Sequence, residues 1–118
     1  MNDLIRRIVN AMIRQEGMSP IYVNPMNLRG APWLTQPSII SNFWRPTSRQ
    51  QGIAGGAHLV ALHIAQGNSL RDFIAGHPGI YAGFAPGADN NKPDIYIANV
   101  KAWAQIPDEN VPMWSFLS

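Results

Sequence analysis

The chain has 118 residues, 46% of them hydrophobic and only 14% charged, with nine Lys and Arg against seven Asp and Glu and no cysteine. That length fits one domain, able to bury most of its apolar surface without a covalent staple. The missing cysteines exclude disulfide frameworks, thiolate zinc sites, iron–sulfur clusters and cysteine nucleophiles, while a formal charge of +2 suits an anionic polymer as partner without demanding one.

Leu4, Ile5, Ile8, Val9, Met12 and Ile13 recur every three to four positions, which predicts a helix from Asn2 or Asp3 to about Gln15, capped near Asp3 and stopped by Gly17. From Ser19 to Thr47 the prolines at 20, 25, 32, 37 and 46 forbid a long helix, leaving a loop with one short extended piece at Ile39 and Ile40. Ser48 and Gln51 read as the capping box of a second helix that ends at Gly67. Gly55 and Gly56 in its middle each cost about 1 kcal/mol relative to alanine, so another backbone is expected to lie close there. Ser69, with Asp72 in the box position, caps a short helix over Leu70 to Ala75. Residues 76–88 are too rich in Gly and Pro for anything but a loop, and Pro93 opens a fourth helix to Trp103 or Ala104. The tail from Asp108 forms one more turn that lays Met113, Trp114, Phe116 and Leu117 on the core. The expectation is one all-α domain, residues 1–118, with two long loops; loops of that length in a compact domain are usually functional.

Only two glutamates are present, and Glu16 continues the apolar stripe of the first helix, four residues after Met12 and eight after Ile8. Lost hydration and the negative end of the helix dipole both raise the pKa of a carboxyl group so placed, as protonation of a glycosidic oxygen requires. Equally, position alone allows an exposed glutamate at a helix end. Of the other acids, Asp72 and Asp94 fit helix N-termini, Asp108 a cap, Glu109 a solvated tail, and Asp89 lies in the second loop. The loop aromatics Tyr22, Trp33, Phe43, Trp44 and Tyr81 offer faces for sugar rings or anchors for the loops. Asn24, Asn27, Gln36 and Asn90 supply amides suited to N-acetyl groups. His58 and His63, five residues apart on one helix, do not share a face as metal ligands would, and no phosphate-binding loop is present, so neither metal nor cofactor is expected. Arg6, Arg7 and Arg14 lie on the polar side of the first helix, as a solvated face or an attraction for anionic polymer.

Gln15-Glu16-Gly17-Met18 followed by Asn24-Pro25-Met26-Asn27-Leu28-Arg29 resembles the opening of the lysozyme-like superfamily, in particular short phage virion or endolysin-type muralytic domains of lytic transglycosylase type. There a helix ends in Glu-Gly and an Asn-Pro-Gly-Asn-Leu/Ile-Arg loop follows. The resemblance continues through the Gly-containing helix of residues 52–65, Leu70-Arg71-Asp72-Phe73-Ile74, Ala85-Pro86 and Tyr96-Ile97-Ala98-Asn99-Val100. Two departures stand out. Met26 takes the place of a glycine, and residues 87–92 offer at most Asp89 where the family has a Ser-Glu-Asn-Asp-like stretch.

The resemblance implies a small lysozyme-like helical domain whose two long loops line a cleft for the aminosugar strands of peptidoglycan. Glu16 becomes the general acid/base and Asp89 the second catalytic candidate, with Asn24, Asn27, Arg29, Trp33, Asn90 and Tyr96 as substrate-binding residues. Without a second acid opposite Glu16, transglycosylation through the sugar's own 6-hydroxyl replaces hydrolysis. The alternative is a catalytically silent structural or wall-binding protein of the same fold, such as a virion component; a nucleic-acid binder ranks third, for want of base-reading motifs. No apolar run reaches the ~20 residues of a membrane span. The first thirteen residues, interrupted by Arg6, Arg7 and Asn10, do not read as a signal peptide. The expected route is cytoplasmic synthesis and delivery to the wall by phage lysis, in a virion, or within a larger assembly.

Overall fold

The computed structural model describes residues 1–17, 23–26, 28, 38–40, 43–44, 46–76 and 93–117, and these are mostly helical. Helix α1 runs Asp3–Glu16, α2 Arg49–Ala65, α3 Leu70–Ala75 and α4 Pro93–Ala104, and a 3-10 turn at Met113–Phe116 follows. Between α1 and α2, strands β1 (Ser38–Ile40) and β2 (Phe43–Trp44) pair antiparallel, Ser38 opposite Trp44 and Ile40 opposite Phe43, with one register irregularity. The extended piece expected at Ile39 and Ile40 is therefore half of a small hairpin.

Each helix end has a local cause. Asn2, rather than Asp3, caps α1: its side chain accepts from the Ile5 amide at 2.8 Å. Asp3 instead binds Arg6 and Arg7. Gly17 stops the helix at φ +65° and returns its amide to the Ile13 and Arg14 carbonyls. Ser48 caps α2 through the Gln51 amide at 3.1 Å, but the Gln51 side chain reaches one residue further back, to the Thr47 amide at 2.7 Å, so the box is only half formed. At Ser69 both halves exist, the hydroxyl taking the Asp72 amide at 3.0 Å and the Asp72 carboxylate taking the Ser69 amide at 3.3 Å. Helix α4 ends on Gln105 at φ +57°, where the Ile106 amide closes back on the Lys101 carbonyl at 3.0 Å. The Arg7 guanidinium donates to the Ala104 and Gln105 carbonyls, placing a cation at the negative end of the α4 dipole. Arg7 is thus a tie between helices and not part of a solvated face.

The core is contributed by every described helix. Leu4, Ile8, Val9, Ala11 and Met12 of α1 meet Ile97, Val100 and Ala104 of α4, Leu59, Val60 and Ile64 of α2, and Leu70, Phe73 and Ile74 of α3. Met26 and Leu28 enter this core from the segment after α1, and Ile106 and Met113 from the segment after α4. Trp114 and Leu117 remain about half exposed, so only Met113 and Phe116 of the tail pack as expected.

The small residues of α2 let the segment after α1 approach. A Cβ on Gly52 would overlap the Val23 carbonyl oxygen and lie 2.9 Å from its carbon and 3.2 Å from Pro25 Cδ. A Cβ on Gly56 would instead press the Met26 thioether. The close backbone expected at Gly55 and Gly56 therefore passes one helical turn earlier, at Gly52, and Gly56 makes room for a side chain.

The C-terminal segment is sewn to α3. Ser69 bridges to Pro112, the Met113 amide donates to the Asn68 carbonyl at 2.9 Å, and the Arg71 amide donates to the Glu109 carbonyl at 3.1 Å. Arg71 also forks onto the Glu109 carboxylate at 3.0 and 2.5 Å and reaches Asp94 at 2.8 Å, while Lys101 stands 3.7 Å from Glu109. Glu109, expected in solvent, is mostly covered. No helix among the described residues is long and apolar enough to cross a membrane.

Candidate functional site

Helices α1 and α4 pack antiparallel, and the last turn of α1 meets α4 residue by residue. The Arg14 guanidinium lies 4.2 Å from the centre of a Trp103 ring, Asn99 Nδ2 donates to Gln15 Oε1 at 2.8 Å, and the Tyr96 hydroxyl donates to Glu16 Oε1 at 3.2 Å. The spacing explains the ladder: residues 96, 99 and 103 recur at three and four along α4 and so share one face. Arg14, like Arg7, is thereby engaged with α4.

Glu16 is half-buried at the C-terminus of α1, as the continuation of the apolar stripe implies. Burial, then the Glu16 charge, then the hydrogen bond to Glu16 all push the Tyr96 phenol far above its ordinary pKa. Tyr96 consequently keeps its proton at any working pH and serves Glu16 only as a donor or a neutral neighbour. Chemically, the arrangement is a carboxyl group oriented by a hydroxyl, where the C-terminal end of α1 meets the first turn of α4.

The other described carboxylates are engaged elsewhere. Asp3 holds Arg6 and Arg7, Asp72 completes a capping box, Asp94 and Glu109 share Arg71, and Asp108 accepts the Asn110 amide at 2.8 Å. None of these reaches toward Glu16 through those contacts. Asp89, Asn27, Arg29, Trp33 and Asn90 lie outside the described residues, as do Tyr22, Gln36 and Tyr81.

Asn24 is placed differently from its expected role. It is fully buried, its Oδ1 accepting the Leu28 amide and its Nδ2 donating to the Leu28 carbonyl, each at 2.9 Å. Both ends of the amide thus close the 24–28 turn, and a sugar has no access to them. Met26, where the resembled family has glycine, adopts no left-handed backbone, because Gln105 is the one non-glycine residue with positive φ among those described. Its side chain fills the space over Gly56, so this turn is held by apolar packing as well as by Asn24.

His63 is buried, its ring centre 4.5 Å from that of Phe73 with the planes tilted by 35°, and it is hydrogen-bonded through Nδ1 to Asn68 at 2.8 Å; burial lowers its pKa. It is a structural histidine on the inner side of α2, whereas His58 is exposed. No group of three His, Cys, Asp or Glu positioned to hold a metal occurs among the described residues. The Gln15–Asn99 amide pair was not singled out by sequence reading; its signal is one of position, Gln15 preceding Glu16 and Asn99 following Tyr96 by one turn. A scan against protein families finds no matching family, and searches of curated proteins and of solved structures find no match to this chain.

Proposed function

We propose that this protein cleaves the glycan strands of peptidoglycan, with Glu16 as the general acid/base. The observation that carries the reading is the half-buried Glu16 carboxyl group at the end of α1, oriented by the Tyr96 hydroxyl at 3.2 Å. Protonation of a glycosidic oxygen needs a carboxyl group fixed against the leaving group and partly withdrawn from water. In this reading Glu16 delivers its proton to the scissile oxygen and afterwards takes one from the attacking hydroxyl, and Tyr96 is the positioning residue that sets its rotamer.

The identity of the attacking hydroxyl follows from the second acid. With Asp89 opposite Glu16 the attacker is water and the product a reducing end. With none, the 6-hydroxyl of the same sugar closes onto its own anomeric carbon and the product is an anhydro end. The remaining binding assignments, Asn27, Arg29, Trp33 and Asn90, belong to this proposal, and so do the lysozyme-like cleft and delivery to the wall.

A second reading, a catalytically silent wall-binding or structural protein of this fold, draws on the same hydrogen bond: Tyr96 and Glu16 also serve as a tie between α4 and α1. Purified peptidoglycan incubated with the protein and with Glu16→Gln, followed by mass spectrometry of released fragments, separates the two. Fragments from the wild type and none from the variant support the enzyme. No release from either, on walls of several types, refutes it.

A further inference from the structure

Helix α4 turns one side to the core and another to solvent. Ile97, Val100 and Ala104 are buried, whereas Ile95, Ala98 and Ala102 are exposed. Residues 95, 98 and 102 recur at three and four, so the exposed ones form a single apolar row. Ile95, 54% exposed, is its bulky member at the N-terminal end. Toward the C-terminal end lies an open depression of about 540 Å³, walled by Ala98, Ala102, Ile106 and Pro107 and edged by Lys101 and Glu109. A projecting apolar side chain and an apolar hollow thus lie on the same face, and Ile95 does not line that hollow itself.

Charge repeats the arrangement. Asp94 and Lys101 stand seven residues apart, close to two turns, and so share the flank beside this row. Asp94 is 84% exposed and gives one carboxylate oxygen to Arg71. Lys101 Nζ stands 3.7 Å from Glu109, beyond hydrogen-bond distance, and Glu109 is already forked by Arg71. Both groups therefore keep capacity for a further partner of opposite sign. A twofold contact needs a feature and its complement on one surface, because residue i of one copy then meets j of the other and j meets i. A twofold axis crossing α4 near Ala98 sets the two helices antiparallel. It brings Ile95 over the partner's hollow and Asp94 within one turn of the partner's Lys101, twice over. Parallel helices would instead set Asp94 beside the partner's Asp94 and Lys101 beside the partner's Lys101. We infer that this face of α4 is where two copies of the chain associate, as an antiparallel isologous dimer with Ile95 of each seated in the hollow of the other. The inference is independent of the glycan-cleaving reading.

The test is sedimentation velocity of the whole chain over micromolar to millimolar concentrations at low salt, for the wild type, Ile95→Lys, Asp94→Lys and Lys101→Asp. The wild type is expected to pass from the mass of one chain to twice that mass as concentration rises. Ile95→Lys withdraws the apolar knob and sets a cation against the partner's Lys101, so its dimer is expected to weaken at least about tenfold. Asp94→Lys faces the partner's Lys101 with a like charge and Lys101→Asp faces the partner's Asp94 with one, so each alone is expected to dimerise less than the wild type. Mixed in equal amounts, these two variants are expected to recover association, because in the heterodimer both cross-pairs are again of opposite sign. Recovery on mixing is a result that local damage to either fold would not produce, and far-UV spectra establish that each variant is folded. A wild type that stays monomeric at millimolar concentration overturns the inference and leaves this face to another partner. An undiminished dimer of Ile95→Lys, or a mixture no more associated than its two components, overturns it as well.

Discussion

Gly52→Ala sets two effects of opposite sign against each other. Alanine inside a helix is favoured over glycine by about 1 kcal/mol, so propensity alone predicts a more stable protein. The structure predicts the reverse, because the new Cβ would overlap the Val23 carbonyl oxygen and stand 2.9 Å from its carbon. These are backbone atoms, with no rotamer to change. The Val23–Met26 segment must therefore lift from α2, and a gap of about 1 Å already forfeits a quarter to a half of each dispersion contact across it. Overpacking costs about 1–3 kcal/mol, and overlap with backbone atoms puts this site in the upper part of that range, about 2–3 kcal/mol, since it also moves the Asn24–Leu28 hydrogen bonds and the fully buried Met26. After the propensity gain is subtracted, a net loss of about 1–2 kcal/mol remains, or a melting temperature lower by roughly 3–10 °C for a domain of this size. Gly56→Ala is the internal control. Its Cβ meets the thioether of Met26, which can swing away, so its effect is expected to fall within about 1 kcal/mol of zero. Urea and thermal unfolding of the two variants followed by circular dichroism give the comparison. A Gly52→Ala protein as stable as the wild type, or more so, would refute the close passage of this segment over α2.

Three further outcomes follow from the contacts. Arg71→Met removes the fork to Glu109 and the reach to Asp94 that join α3, α4 and the C-terminal segment; with the side chain 40% exposed, the loss in urea unfolding is expected near 1 kcal/mol and to shrink in 1 M salt. His63 has a folded pKa below its unfolded value, so the unfolded chain takes up the proton first; stability is expected to be full above about pH 6.5 and to fall as pH drops below it. His63→Gln should flatten that slope between pH 7.5 and 5.5 in urea midpoints. Tyr96→Phe removes the donor to Glu16 and should cost about 0.5–1.5 kcal/mol of stability, while fragment release from peptidoglycan falls about tenfold if the hydroxyl orients the acid. Unchanged release in that variant would reduce Tyr96 to a tie between helices.

Most of the helical layout was legible in the sequence because its signals are local. The α1 stripe, Gly17, Ser48, Ser69 with Asp72, and Pro93 each act on residues within one turn of themselves, and the helices begin and end where those residues stand. So, too, the half-buried position of Glu16 follows from counting along one helix. The tertiary structure decided which groups share a place. That Tyr96 reaches Glu16, that Asn99 pairs with Gln15, and that Arg7 caps α4 are contacts between residues 80 to 97 positions apart, created by the antiparallel packing of α1 on α4. The fate of Asn24 depends on burial, which periodicity does not reveal for an isolated polar residue in a loop. Gly52 shows the same division: composition betrays that something approaches α2, and only the folded chain determines that the Val23 carbonyl does so, because that choice is a matter of volume excluded between segments far apart in sequence.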